Sequence, residues 1–232
     1  MQRRNSRVKY GARKVHQALQ EEGYSISVNT ISKYRKELKL EPILAVKAPN
    51  LSQPNAAHKK YSYKLRGIEI SHINQVWSTD ITYIKVDGAN VYLAAIIYWY
   101  SKAILAHSIS NTMDTAFVTS VLNKAIRKYR KPEIFNTDQG SQYNSNHHTD
   151  ILSENQIEIS MDGKGRATDN ISIERFWRTA KCEMIYFLNF DLMKHLKESF
   201  NKYIYFYNFE RYHESLCYLI PRDVYNQKAA IH

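Results

Sequence analysis

Two long β-rich runs joined by Asp87-Gly88 constrain this chain more than any other feature. Gln75 to Val86 (QVWSTDITYIKV) is dominated by β-branched and aromatic residues, and Val91 to Tyr100 (VYLAAIIYWY) is almost continuously apolar. Such residues fit a pleated, buried surface, and Asp-Gly between two such runs is a strong hairpin signal. Ala103 to Ser110 supplies a third strand. The period then becomes helical over Thr115 to Lys131, where Phe117, Val118, Val121, Leu122, Ala125 and Tyr129 recur on one face until Pro132 ends the run. A short strand (Glu133 to Thr137), a helix (Ser145 to Glu154), a strand (Ile157 to Ser160) and helices over Asn170 to Phe187 and Leu192 to Tyr207 complete the pattern. The reading is an α/β fold: a mixed five-stranded sheet with flanking helices. A right-handed crossover after the third strand can return the fourth parallel to the first, so those two strands can lie side by side.

That adjacency gives three acids a common meaning. Asp80 interrupts the first strand, where a charge opposes burial unless something compensates it. Asp138 ends the fourth strand and enters the polar turn QGSQ. Glu174 lies in the helix DNISIERFWRTAKCEM, whose apolar stripe is Ile173, Phe176, Trp177, Ala180 and Met184; Arg178 and Lys181 share the Glu174 face at i+4 and i+7. Taken singly, Asp138 could close a turn, Glu174 could pair with Arg178, and Asp80 could be a satisfied polar strand residue. Taken together, three carboxylates at one sheet edge suit two divalent metal ions in phosphoryl transfer. Hard cations take oxygen ligands, in keeping with a cluster free of Cys and His. The adjacent His147 and His148 point in different directions on a helix and read as surface residues. The 18 tyrosines read mainly as packing.

The net charge of +11 is unevenly spread: residues 1 to 70 hold 15 Lys/Arg against 5 Asp/Glu, whereas residues 71 to 232 hold 18 against 17. A basic arm on a nearly neutral body is what a polyanion binder with a separate working domain looks like, although a merely solvated surface has the same signature. Two cysteines, Cys182 and Cys217, form no C-x-x-C pair and argue against a disulfide framework or a Cys-rich zinc site. The longest apolar run is too short to span a bilayer, so the expectation is a cytoplasmic protein with no membrane partner.

Within the arm, GARKVHQALQEE places Val15, Ala18, Leu19 and Glu22 on one helical face, and Gly23 stops the run. Ser27 or Asn29 can cap a second helix through VNTISKYRKELKL, with Val28, Ile31, Tyr34 and Leu38 inward and Lys33, Arg35, Lys36 and Lys39 outward. Two short helices around a Gly-containing turn suggest a helix-turn-helix, making Arg13, Lys14, Lys33, Arg35 and Lys36 candidate DNA contacts. Residues 1–40 are therefore expected to be a DNA-binding segment, 41–72 a basic linker with three prolines, and 73–232 a core with C-terminal helices.

WSTDITYI, NTDQGSQYNS and MDGKGRATDNISIERFWRTAKCE, in that order, resemble the three catalytic blocks of the integrase-core transposases of bacterial insertion sequences of the IS3 type, relatives of retroviral integrases. The intervals are 57 residues between Asp80 and Asp138 and 35 between Asp138 and Glu174. Lys181 is similar to the family's basic residue on the catalytic helix, YNFERYHESLCYLIPRDVY resembles its carboxy-terminal block, and YGARKVHQALQEEGYSISVNTISKYRKELKL resembles its upstream helix-turn-helix. The resemblance implies an RNase H-like fold, two Mg²⁺ or Mn²⁺ ions on Asp80, Asp138 and Glu174, and cleavage and strand transfer at insertion-sequence ends. Arg178 and Lys181 would then serve DNA near the scissile phosphate. The implied partners are element-end and target DNA and further copies of the chain, in a bacterial, nucleoid-associated setting. Two departures stand out: Tyr212 occupies a position where the family pattern has proline, and Cys217 one where it has glycine. The chain also starts closer to the helix-turn-helix than family members usually do, and those commonly gain an upstream DNA-binding segment by fusion. A decaying or truncated element that only binds DNA is thus the alternative expectation.

If the basic arm holds DNA, deleting residues 1–40 should flatten the slope of log affinity against log salt by several units, at about 0.9 per neutralised phosphate, and Lys181→Ala should change it by about one. Duplex titrations at several salt concentrations make the comparison. An unchanged slope after the deletion would assign the arm's charge to solubility.

Overall fold

The structure, a computed structural model, describes residues 10–40, 61–163, 170–188, 190 and 192–227. Strand β1 (Val76–Val86) is the middle of a five-stranded sheet. It pairs antiparallel with β2 (Ala89–Tyr98), which pairs antiparallel with β3 (Ile104–Ser110). On its other side β1 runs parallel to β4 (Ile134–Thr137), and β4 parallel to β5 (Glu158–Met161), giving the order β3-β2-β1-β4-β5. The hairpin turns at Asp87 and Gly88, both at positive φ (48° and 75°), the backbone that a two-residue type I′ turn requires.

The apolar continuity of β2 follows from burial on both faces. Ala94, Ile96 and Tyr98 join the cluster beneath α3 (Thr115–Lys128) and α4 (Asn146–Glu154). Val91, Leu93, Ala95 and Ile97 join the opposite cluster, beneath α5 (Ile171–Glu183) and α6 (Met193–Phe209). Asp114 caps α3 by accepting the Phe117 N–H at 2.7 Å, and Ser145 caps α4, though less tightly. On strand β3, Asn208 of α6 substitutes for a neighbouring strand: its amide accepts from the Ile104 N–H and donates to the Ile104 carbonyl, both at 2.8 Å. Helix α5 stops at Glu183, four residues short of the expected end, and a 3-10 turn follows over Ile185–Phe187. His148 is buried against Phe135 and Tyr143, which corrects the surface reading of the histidine pair. Burial pushes its imidazole down to about 4.

Helices α1 (Ala12–Glu21) and α2 (Val28–Glu37) form the two-helix unit. Gly23, at φ 87°, ends α1 by donating to the Gln20 carbonyl, and Ser27 caps α2 through the Thr30 N–H. Ile31 is buried as expected, but Tyr34 and Leu38 face outward, 54% and 68% exposed. The unit docks on the body instead through α1: Tyr10 stacks on Phe206 and contacts Tyr212, while the Tyr212 hydroxyl bonds Glu21. At the centre of this junction Arg211 holds Glu183 in a two-pronged pair (2.7 and 2.8 Å), buried and shared with the Tyr203 hydroxyl, and Lys14 approaches Glu183 to 4.0 Å. Removing one partner from such a buried pair strands the other charge, so this is a specific joint rather than a chance contact. Of the linker expected over 41–72, residues 41–60 lie outside the described residues, and residues 61–66 run beside β5.

The departure at position 217 has a structural cost. Cys217 follows the 3-10 turn Glu214–Leu216 with φ 51° and ψ 39°, a left-handed backbone that glycine adopts freely and other L-residues only at about 1–2 kcal/mol. Because the side chain is exposed, replacing it leaves no cavity. Cys217→Gly should therefore stabilise the fold by about 1 kcal/mol, raising Tm by about 2–4 °C. A lower Tm in a reversible melt would contradict this.

Candidate active site

Side chains alternate along a strand, so parity decides which acids can meet. In β1 the even positions Ile84 and Val86 lie on the α5 face and the odd positions Trp77 and Ile81 on the α3 face. Asp80 therefore belongs to the α5 face. Ser78 is opposite Asn136 in the parallel β1–β4 pair, and two further residues bring each strand to Asp80 and Asp138. Both acids thus stand on one face of neighbouring chain segments, and α5 crosses that face with Glu174 in its first turn.

Asp138 is fixed by the turn that follows it. The Gly140 N–H donates to its Oδ1 at 2.9 Å, and a Cβ on Gly140 would sit 2.9 Å from the same oxygen, so only glycine lets the turn close this tightly. Asp162, just after β5, adds a fourth carboxylate: Asn136 donates to its Oδ1 at 2.7 Å and Gln139 to its carbonyl at 2.9 Å. The start of α5 is tied to β1 beside Asp80, where the buried Asn170 amide donates to the Thr79 carbonyl at 3.0 Å. Thr79 also meets the buried Tyr143 hydroxyl at 3.2 Å.

The acids are perturbed to different degrees. Asp80 is held well above the usual carboxylate range, first by burial and then by the charges of Asp138, Glu174 and Asp162. Burial raises Asp138, against the opposing Gly140 hydrogen bond, and partial desolvation raises Glu174, which is exposed. Tyr143 is raised by burial and by the charges of Asp80 and Asp138. Burial lowers Lys181 while Asp80 draws it upward, so this cation lies within the acids' field, whereas Arg178 is exposed on α5. Among the described residues, no group of three or more His, Cys, Asp or Glu side chains is arranged as a ready ligand set.

The candidate cations of the two-helix unit divide. Lys33 and Lys36 are exposed on α2. Arg35 is half-buried and donates to the Leu40 carbonyl at 2.9 Å, so the outward placement expected for it is corrected. Arg13 pairs with Glu214 at 2.7 Å, and Lys14 is packed against Glu183 with burial pushing its amine down to about 8. In this arrangement Lys14 faces the protein, contrary to its expected role as a DNA contact. Asp162, Asn170 and Tyr143 were not singled out by sequence reasoning, although all three lie inside the three motif blocks.

Residues 71–167 match the family described as integrase core domain, and residues 155–221 match a second integrase core domain family. The transposase for insertion sequence element IS904 of Lactococcus lactis is 33% identical over 76% of this chain and 68% of its own length. InsK of insertion sequence element IS150 of Escherichia coli is 29% identical over 96% of this chain and 79% of its own length. In fold, the chain is similar to the HTLV-2 integrase catalytic core domain in complex with magnesium (TM-score 0.51, 19% identity, 66% of this chain and 96% of that one). It is also similar to a chain of the simian T-cell lymphotropic virus intasome in complex with the PP2A regulatory subunit B56 gamma (TM-score 0.59, 15% identity, 96% and 77%). With an RNase H-like sheet, an integrase core match and this similarity to insertion-sequence transposases, the chain belongs to the IS3-type insertion-sequence transposases, built on an integrase core.

Proposed function

We propose that this chain cleaves DNA at insertion-sequence ends and transfers the released strand to target DNA, with Asp80, Asp138 and Glu174 holding two Mg²⁺ or Mn²⁺ ions. The observation that carries this reading is the Asp80 carboxyl, on the same sheet face as Asp138 and raised first by burial and then by the charges of Asp138, Glu174 and Asp162. Negative charge gathered on one face of a sheet costs stability, and a hard divalent cation relieves it through oxygen ligands. The donor set therefore fits such ions in charge and in chemistry. When bound, they would activate the attacking oxygen and stabilise the leaving one.

The chain's own residues supply the rest. Gly140 keeps Asp138 oriented, and Asn170 sets the start of α5 against β1 so that Glu174 and Asp80 keep a constant relation. Lys181, next to the acids, is suited to a phosphate oxygen. Water attacks first, breaking the bond from phosphorus to the 3′-oxygen and leaving a 3′-hydroxyl and a 5′-phosphate. That hydroxyl then attacks a target phosphorus and displaces its 3′-oxygen, so neither step needs a covalent protein intermediate. Element-end DNA, target DNA and further copies of the chain are the partners in this reading, in the cytoplasm of a bacterial cell. Among the described residues no helix is long and apolar enough to cross a membrane.

Glu174→Gln removes a charge and little volume. It should abolish Mg²⁺-dependent nicking of element-end DNA, by at least a hundredfold, and leave duplex binding within a factor of two. Retained metal-dependent cleavage would refute the assignment.

A pH test follows from the same charges. A carboxyl whose pKa is raised by folding binds its proton more tightly in the folded state, so the charged form destabilises the fold above that pKa and the penalty vanishes below the unfolded value. In metal-free buffer Asp80→Asn should raise Tm at pH 8 and leave it nearly unchanged at pH 4, each kcal/mol regained appearing as about 2–4 °C. Equal melting of variant and parent at pH 8 would show that the acids do not strain one another.

A further inference from the structure

Lys102 stands beside the first turn of α5, on the turn that joins β2 to β3. Its N–H donates to the Tyr98 carbonyl at 2.8 Å and its φ is 59°, a left-handed backbone that glycine and asparagine adopt more readily than lysine. The side chain is carried inward to the buried Ser172 of α5, where the amine donates to Oγ at 3.2 Å. Burial and then the Arg175 guanidinium push that amine down to about 8. Arg13, Lys14, Lys64 and Arg211 each lie within 4.0 Å of a carboxylate, whereas among the described residues neither Lys102 nor Arg175 forms an ion pair. Two cations that repel each other, one of them largely desolvated, call for an anion from outside the chain.

We propose that Lys102 and Arg175 together hold one phosphate of a bound DNA strand. An ammonium has three donors and Ser172 takes one, so two remain for phosphate oxygens, and the exposed Arg175 guanidinium adds a planar fork of donors. The pair also extends a row. Ser172, Arg175, Arg178 and Lys181 stand at i, i+3, i+6 and i+9 on α5, a single ridge in which each position rises about 4.5 Å beyond the last. Asp80 draws Lys181 upward, so one end of the ridge is at the acids; at the other end Lys102, bonded to Ser172, supplies the cation that the helix itself does not. A line of cations of this kind is a track for a sugar–phosphate backbone, with the Lys102–Arg175 pair as its outer grip. The inference rests on the proposed action on DNA and not on the cleavage chemistry: it adds residues that grip the strand to those that cut it.

The test uses the full chain in metal-free buffer at about 0.1 M salt, with an element-end duplex in which one phosphate at a time is replaced by an uncharged methylphosphonate. In the parent, neutralising the phosphate held here should weaken binding about fivefold to tenfold, the worth of one phosphate contact at that salt. Lys102→Met, which keeps the aliphatic stem, and Arg175→Met should each bind the unmodified duplex more weakly by a similar factor. Each should also lose the sensitivity at that one phosphate, the same phosphate in both. Arg175 is exposed, so its variant keeps the test open if Lys102→Met folds poorly. Lys124→Met removes an equal charge from α3, on the opposite side of the sheet, and should leave every sensitive position as in the parent. Unchanged binding by both variants, or silencing of different phosphates, would overturn the proposal. A site for free phosphate ions alone would silence no position and would overturn it equally. A parent that binds no duplex would overturn the DNA reading and this grip with it, whereas a parent that binds while no position is silenced overturns the grip alone; Glu174→Gln tests the chemistry separately.

Discussion

The parallel pairing of β1 with β4 is the constraint on which the site depends. Its register, Ser78 opposite Asn136, puts Asp80 and Asp138 level on neighbouring segments, and strand alternation puts both on the α5 face. A slip of one residue in either strand would turn one carboxylate into the opposite apolar cluster. Both faces of the sheet are packed, so the register is held from two sides. Trp77 and Phe135, partners in that pair, are fully buried beneath α3 and α4 and hold it from the side away from the acids.

Packing of this kind is what allows the acid face to be unfavourable by itself. Burial and then the charges of Asp138, Glu174 and Asp162 raise the cost of ionising Asp80, and burial raises that of Asp138. The turn at Gly140 and the Asn170 bond to the Thr79 carbonyl are local devices that hold these groups in place against their repulsion. Stability comes from the two apolar layers, and the polar face uses part of it.

Much of this was legible in the residues. The period of two in β1, the apolar continuity of β2 and the Asp-Gly turn specified the hairpin, and the pattern from Thr115 onward specified the crossover that makes β4 parallel to β1. Asp80 stood out because a charge inside such a strand conflicts with its surroundings. What was not legible depends on tertiary contacts. Tyr34 and Leu38 share the helical stripe of buried Ile31 but stay exposed toward the end of α2, which periodicity alone could not show. Lys14 looks like any basic residue of the arm until Glu183 and Arg211, 169 and 197 residues further along the chain, are seen beneath it. His148 could not be told from His147 by composition, since burial of one depends on how α4 lies over Phe135. Tyr212, odd against the family pattern, gains a purpose in its contacts with Tyr10 and Glu21.

Helix α5 carries Glu174 near its start and ends at Glu183, the residue against which Lys14 rests. Nine residues of α-helix at about 1.5 Å each set roughly 13 Å along the axis between the acid and the anchor of the two-helix unit. The helix is thus a rigid ruler. On a duplex that rises 3.4 Å per base pair, its length corresponds to about four steps between the point level with Glu174 and the point level with the joint.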